Sequence, residues 1–144
     1  MNINLKKKMK ILILCTGNSC RSQMAEGFFK KYRKYWTVES AGITPMELNP
    51  LAVRVMTEKG IDISHQKSKS VKKFLDLSFD YIITVCDNAK ESCPLFPGKA
   101  QNIHWDIEDP VLAAGSMEEK LDKFREVRDT IEGYILDFLK GVLS

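Results

Sequence analysis

Between a leucine- and isoleucine-rich run and an amphipathic helical pattern the chain reads Cys15-Thr16-Gly17-Asn18-Ser19-Cys20-Arg21-Ser22, a cysteine and an arginine separated by five residues. Backbone amides in such a turn can converge on a tetrahedral oxyanion. A helix N-terminus behind them adds positive potential, and the planar fork of Arg21 can grip two oxygens at once. The same field favours a thiolate at Cys15, which makes it a nucleophile, and Ser22 is placed to donate a hydrogen bond to that thiolate. Thr16, Gly17, Asn18, Ser19, Cys20 and Ser22 are the candidate loop-support residues. Two more cysteines, Cys86 and Cys93, stand far along the chain.

The elements around these residues follow from periodicity. Lys10 to Cys15 reads as a buried strand that stops at Thr16-Gly17-Asn18. From Arg21 the apolar residues Met24, Ala25, Phe28, Phe29, Tyr32 and Trp36 recur at three and four, which predicts a helix. A second strand fits Trp36 to Ala41. Asn49-Pro50 starts a helix to about Lys59, with Asn as cap and Pro at the first position, and Gly60 ends it. Ser70 to Leu77 reads as a short helix, Tyr81 to Val85 as a strand ending at Cys86, and Asn102 to Trp105 as a weak strand. A long last helix buries Leu121, Phe124, Val127, Ile131, Ile135 and Phe138. Alternating strands and helices predict an α/β fold, a parallel sheet with helices on both faces, and a site beyond the carboxyl ends of the strands. Strands ending in Cys15 and Cys86 would bring distant thiols together there.

The 144 residues are 44% apolar and 28% charged, with 8 Gly and 5 Pro, a composition that suits one soluble domain over residues 1–144. A chain of this size buries roughly 70% of its unfolded surface, so it needs no metal or disulfide staples. No run approaches a membrane span, and the stretch behind the basic N-terminus is too short for a signal peptide, so a cytoplasmic protein is expected. In that reducing setting four unevenly spaced cysteines argue for catalysis, redox work or metal. The absence of any Cys-x-x-Cys pair argues against zinc. Residues 1–75 hold 15 Lys and Arg against 5 Asp and Glu, while the remainder hold 7 against 14, so the overall +3 conceals a first half suited to an anion. Nucleic acid is not the expected partner, because Tyr32, Tyr35 and Trp36 follow a helical core period instead of forming stacking platforms.

The run Cys15 to Gly27, CTGNSCRSQMAEG, resembles the phosphate-binding loop of low-molecular-weight tyrosine phosphatases and, more closely, of the thioredoxin-coupled arsenate reductases built on that fold. Ser40-Ala41-Gly42-Ile43, Asn49-Pro50, Ile61-Asp62-Ile63-Ser64, His104-Trp105 and Asp109-Pro110 extend the resemblance through most of the chain. It implies a four-stranded parallel sheet flanked by helices. The segment from Val85 to Pro94 separates the two activities: a phosphatase needs one cysteine and water, whereas reducing As(V) to As(III) takes the two electrons that two thiols yield on becoming a disulfide. Val111-Leu112 also stand where the phosphatases usually carry aromatic residues.

The resemblance implies that Cys15 attacks arsenic while Arg21 and the loop amides hold its oxygens, and that Asp109 protonates the departing oxygen, Glu108 being a substitute acid. Cys86 then attacks Cys15, and Cys93 attacks Cys86, leaving a Cys86–Cys93 disulfide for thioredoxin or glutaredoxin to reduce. In a helix those two cysteines would stand roughly 10 Å apart, beyond disulfide reach, so residues 86–98 are expected to rearrange on oxidation. Cys20 reads as a spectator, and His65 and His104 as surface or packing residues. A monomer with no cofactor and no resident metal is expected. Some of these reductases bind potassium through residues matching Asn18, Glu26, Ser40 and an aspartate that aligns with Lys69 here, so the Lys69 ammonium is expected to replace the cation by pairing with Glu26 and steadying Asn18. The alternatives are a tyrosine phosphatase of the same fold and a non-enzymatic oxyanion or redox sensor.

Overall fold

A computed structural model describes residues 8–87 and 96–143. Its elements in chain order are β1 (Lys10–Cys15), α1 (Arg21–Tyr32), β2 (Thr37–Gly42), α2 (Pro50–Thr57), a 3-10 turn at Val71–Phe74, β3 (Tyr81–Thr84), β4 (Gln101–His104), a second 3-10 turn at Pro110–Leu112, and α3 (Met117–Leu143). The strands form one parallel sheet in the order β2-β1-β3-β4. Because β1 passes to β2 on one side and lies beside β3 on the other, the chain reverses direction across the sheet at the carboxyl end of β1, where a crevice opens.

The β1 run is apolar on both faces because both are covered, and Ile11, Leu12, Ile13 and Leu14 are fully buried. Burying each of these side chains contributes about 1.5–3 kcal/mol. Ile11 and Ile13 point into the larger core beneath α1, α2 and α3. Leu12 and Leu14 point to the opposite face with Ala41, Phe74 and Ile82. Among the described residues that second face is closed by the Val71–Phe74 turn and by Phe79 and Phe96, not by an α-helix.

The α-helix pattern that runs on to Trp36 is broken in the structure. α1 stops at Tyr32, and Trp36 lies outside it, buried because its ring stacks 6.4 Å from Phe29. The Asn49-Pro50 start of α2 is as the sequence indicates, with Asn49 Oδ1 accepting from the Leu51 amide at 2.8 Å. The Ser70–Leu77 helix shortens to a single 3-10 turn, and the last two strands differ from their expected limits by about a residue. On α3, Leu139 takes the buried position expected of Phe138, which is partly buried and packs edge-on against Phe29 and Tyr81. None of the helices among the described residues is long and apolar enough to cross a membrane.

Candidate active site

The loop between β1 and α1 is held open from outside. The carbonyls of Thr16, Gly17 and Ser19 accept from the amides of Thr44, Met46 and Asn49 at 3.0, 2.8 and 2.9 Å. The Asn18 carbonyl accepts from Gln23 Nε2 at 3.0 Å and from Ser68 Oγ at 2.7 Å. In a trans peptide the N–H points opposite to its carbonyl, so four outward carbonyls turn the amides of Gly17, Asn18, Ser19 and Cys20 inward. No side chain caps the start of α1 and no acidic residue stands in its first turn, which leaves the helix end electropositive toward the loop.

Cys15 sits beneath this ring, 2% exposed. Its Sγ accepts from the Asn18 amide at 3.1 Å and lies 2.9 Å from Ser22 Oγ. Asn18 Oδ1 accepts from the Lys69 amide at 2.9 Å, so Asn18 Nδ2 is the donor to Ser22 Oγ and Ser40 Oγ, at 2.7 and 2.9 Å. Ser22 Oγ accepts from Asn18, and toward a Cys15 thiolate, which has no proton to give, the serine O–H is the donor, so that such a sulfur receives two hydrogen bonds. Asn18 makes these contacts from the left-handed region, at φ 50°, which asparagine tolerates better than most residues.

Arg21 is 3% exposed and is fixed by NH1 donating to the Ile107 carbonyl at 3.0 Å and by NH2 lying 3.6 Å from Asp109 Oδ2. Asp109 caps the Pro110–Leu112 turn through the Val111 amide at 3.0 Å, and its carboxylate lines the same cleft as Cys15 and Arg21. That cleft holds about 400 Å³ and is also bordered by Met46 and Val111. Glu108 is paired with Lys123 at 3.1 Å and does not line the cleft, whereas Asp109 does. A larger groove of about 620 Å³ runs between the C-terminal parts of α1 and α3, but it is lined by Tyr32, Arg33, three leucines and Lys140 and holds no thiol or carboxylate.

Cys20, although in the loop, is a different kind of cysteine. Burial first, then the negative field of Asp109, push its thiol up to about 12, so it stays protonated and is a poor nucleophile. Cys86 is fully buried and comes two residues after β3. Since Leu14 pairs with Thr84 and the Val85 amide bonds the Leu14 carbonyl at 2.9 Å, Cys86 emerges beside the strand end that carries Cys15. The Cys86 carbonyl also accepts from the Ile107 amide, whose own carbonyl holds Arg21. Cys15, Cys20 and Cys86 form no disulfide with one another. Cys93 lies outside the described residues, as does most of the segment expected to rearrange.

Lys69 pairs with Glu26 as expected, and with Glu39 as well. Its Nζ is 3.7 Å from both Glu26 and Glu39, while Glu26 has a closer partner in Lys30 at 2.6 Å and accepts from Ser40 at the same distance. Asn18 is steadied by the Lys69 backbone amide, not by its ammonium. His104 bonds Thr84 Oγ1 at 2.7 Å, away from the thiols. Sequence reasoning missed Gln23 and Ser68, which donate to the Asn18 carbonyl, and Gln66, which holds Gln23 in turn. The one signal was a run of polar side chains on the first turns of a helix whose every face is buried.

A parallel sheet with a cysteine–arginine loop between its first strand and helix, and an aspartate facing that loop, defines a class of oxyanion-handling enzymes. The chain belongs to the low molecular weight phosphotyrosine protein phosphatase family, which matches residues 10–143. It is 48% identical to an arsenate reductase of Halalkalibacterium halodurans over 91% of this chain and 95% of that one. A solved structure described as an arsenate reductase in the phosphate binding state superposes with a TM-score of 0.78 at 32% identity, covering 93% of this chain and 98% of that one. A thioredoxin-dependent arsenate reductase of Corynebacterium glutamicum superposes with a TM-score of 0.71 at 26% identity, over 94% of this chain and 62% of that one.

Proposed function

We propose that this chain reduces arsenate to arsenite with Cys15, Cys86 and Cys93, and that an external dithiol of the thioredoxin kind resets it. The observation that carries the reading is a second buried thiol, Cys86, emerging beside the Cys15 strand end, where ester hydrolysis would need only one. The names of the relatives above, arsenate reductase and thioredoxin-dependent arsenate reductase, support the same reading.

In this account the loop amides and Arg21 hold the arsenate oxygens. The Cys15 thiolate attacks arsenic, and Asp109 gives its proton to the departing oxygen, which leaves as water. Cys86, deprotonated, then attacks Cys15 Sγ. The sulfur–arsenic bond breaks, its electron pair stays on arsenic, and arsenite leaves as two thiols become the Cys15–Cys86 disulfide. Cys93 attacks Cys86, returning Cys15 to the thiolate and leaving Cys86–Cys93 for the external dithiol, thioredoxin or glutaredoxin, to reduce. The protein acts as a monomer, in the cytoplasm, where thiols are kept reduced.

The test is a pair of assays on Cys86→Ser and Cys93→Ser. Arsenate-dependent turnover with a thioredoxin system should vanish in both, while any hydrolysis of an aryl phosphate should survive. A variant of either kind that still turns over arsenate at the parent rate would overturn the relay.

A further inference from the structure

The hydrogen bonds to Cys15 depend on Asn18 holding one unusual conformation, and two glutamines from different parts of the chain hold it there. Gln23, on the first turn of α1 and fully buried, donates through Nε2 to the Asn18 carbonyl at 3.0 Å, with Asn18 Oδ1 at 3.2 Å and the Lys67 carbonyl at 3.1 Å. Gln66, 8% exposed, donates through Nε2 to Gln23 Oε1 at 2.8 Å and to the Gln23 carbonyl at 3.0 Å. The direction of this chain is unambiguous. Turning the Gln23 amide over would set its oxygen against three acceptors and its nitrogen against the Gln66 nitrogen.

We infer that Gln66 and Gln23 are positioning residues for the nucleophile, acting as a one-way relay of donors that ends at Cys15. Gln66 fixes the rotamer of Gln23, and Gln23 fixes both the carbonyl and the side-chain oxygen of Asn18. Asn18 then donates to Ser22, which donates to the Cys15 thiolate, and the Asn18 amide donates to the same sulfur. The grip on the Asn18 carbonyl also turns the Ser19 amide toward the oxyanion. The loop is reached this way because the amide of Gly42 bonds the Lys69 carbonyl at 2.9 Å, which ties residues 66–70 alongside the end of β2. Without Gln23 the Asn18 side chain loses a partner on its acceptor side, and the hydrogen bonds that favour the thiolate loosen.

This inference rests on Cys15 being the nucleophile, and its test needs neither arsenate nor a thiol donor, so it stands or falls apart from the reductase reading. The probe is iodoacetamide alkylation of the Cys15 peptide, followed by mass spectrometry as a function of pH. The charged and titratable groups around Cys15, namely Arg21, Cys20, Glu47 and Asp109 in the cleft and Cys86 beside it, stay unchanged in the variants. Gln23→Met, uncharged and of similar length, is expected to move the alkylation midpoint about one pH unit upward, roughly the loss of one hydrogen bond to an anion. Gln66→Met is expected to move it in the same direction by less. Val127→Ala, a core truncation on α3 remote from the loop, lowers stability without moving the midpoint, which separates positioning from a general loss of structure. A midpoint in Gln23→Met equal to that of the parent overturns the inference. Should Gln23→Met fail to fold, an unmoved midpoint in Gln66→Met overturns it instead.

Discussion

Ser22 Oγ stands 2.9 Å from Cys15 Sγ and accepts from Asn18 Nδ2, and against a Cys15 thiolate, which carries no proton, the serine O–H is the donor. A hydrogen bond to a charged partner contributes about 1.5–3 kcal/mol. Ser22→Ala should therefore slow the step in which Cys15 attacks by roughly 10- to 100-fold. Single-turnover kinetics at neutral pH checks this, and a variant as fast as the parent would contradict it.

Cys20 and Cys15 should differ sharply in reactivity despite sharing a loop. Burial, then Asp109, hold the Cys20 thiol up to about 12, from an ordinary 9.0. Peptide mapping after alkylation at pH 8.5 should find Cys15 labelled and Cys20 intact in folded protein, with Cys20 labelled only after denaturation. The sign of the stability effect follows. Because the folded value lies above the unfolded one, the contribution of the neutral thiol is complete below about pH 9 and is lost as pH climbs from there toward 12. Cys20→Ala should flatten the fall of denaturant midpoints across that window.

Gly42 is the end of β2 on which the loop leans. A Cβ there would stand 2.6 Å from the Thr16 carbonyl oxygen and 2.9 Å from the Asn18 nitrogen, both backbone atoms that cannot swing aside. Gly42→Ala should lower stability by about 1–3 kcal/mol and weaken phosphate or arsenate binding together, because the displaced backbone is that of the anion loop. Denaturant melts and anion titrations measure the two effects; a melt that falls while anion affinity holds would place the strain elsewhere.

The Lys69 ammonium, with 15% of its side chain exposed and two carboxylates at 3.7 Å, supplies positive charge beside Glu26. Activity should be the same in potassium and sodium salts at constant ionic strength. Lys69→Ala keeps the backbone amide that holds Asn18 and should leave most of the activity in place. Marked stimulation by potassium in the parent protein would contradict the replacement.

The parts of the site that are contiguous were legible in the chain. Cys15 to Ser22 announces itself because strand, turn and helix start fall within a few residues, and Asn49-Pro50 announces α2 by its cap. Trp36 misled because an apolar residue four beyond Tyr32 continues a helical period whether or not the helix does; Tyr35, 72% exposed, marks where the chain has already left it. Gln23 and Gln66 were invisible for a different reason. Neutral amides carry no spacing signature, and their partnership crosses 43 residues. It exists only once the Gly42–Lys69 pairing folds one segment against the other.

The most direct measurement is one turnover without a donor. Fully reduced protein, freed of reductant, is mixed anaerobically with excess arsenate, and arsenite and lost thiols are counted per chain. The relay predicts about one arsenite and two thiols, with the disulfide mapped to Cys86 and Cys93 and a Cys15–Cys86 disulfide accumulating in Cys93→Ser. No arsenite and four intact thiols, under conditions where the protein binds the anion, would contradict it and leave ester hydrolysis as the chemistry of this loop.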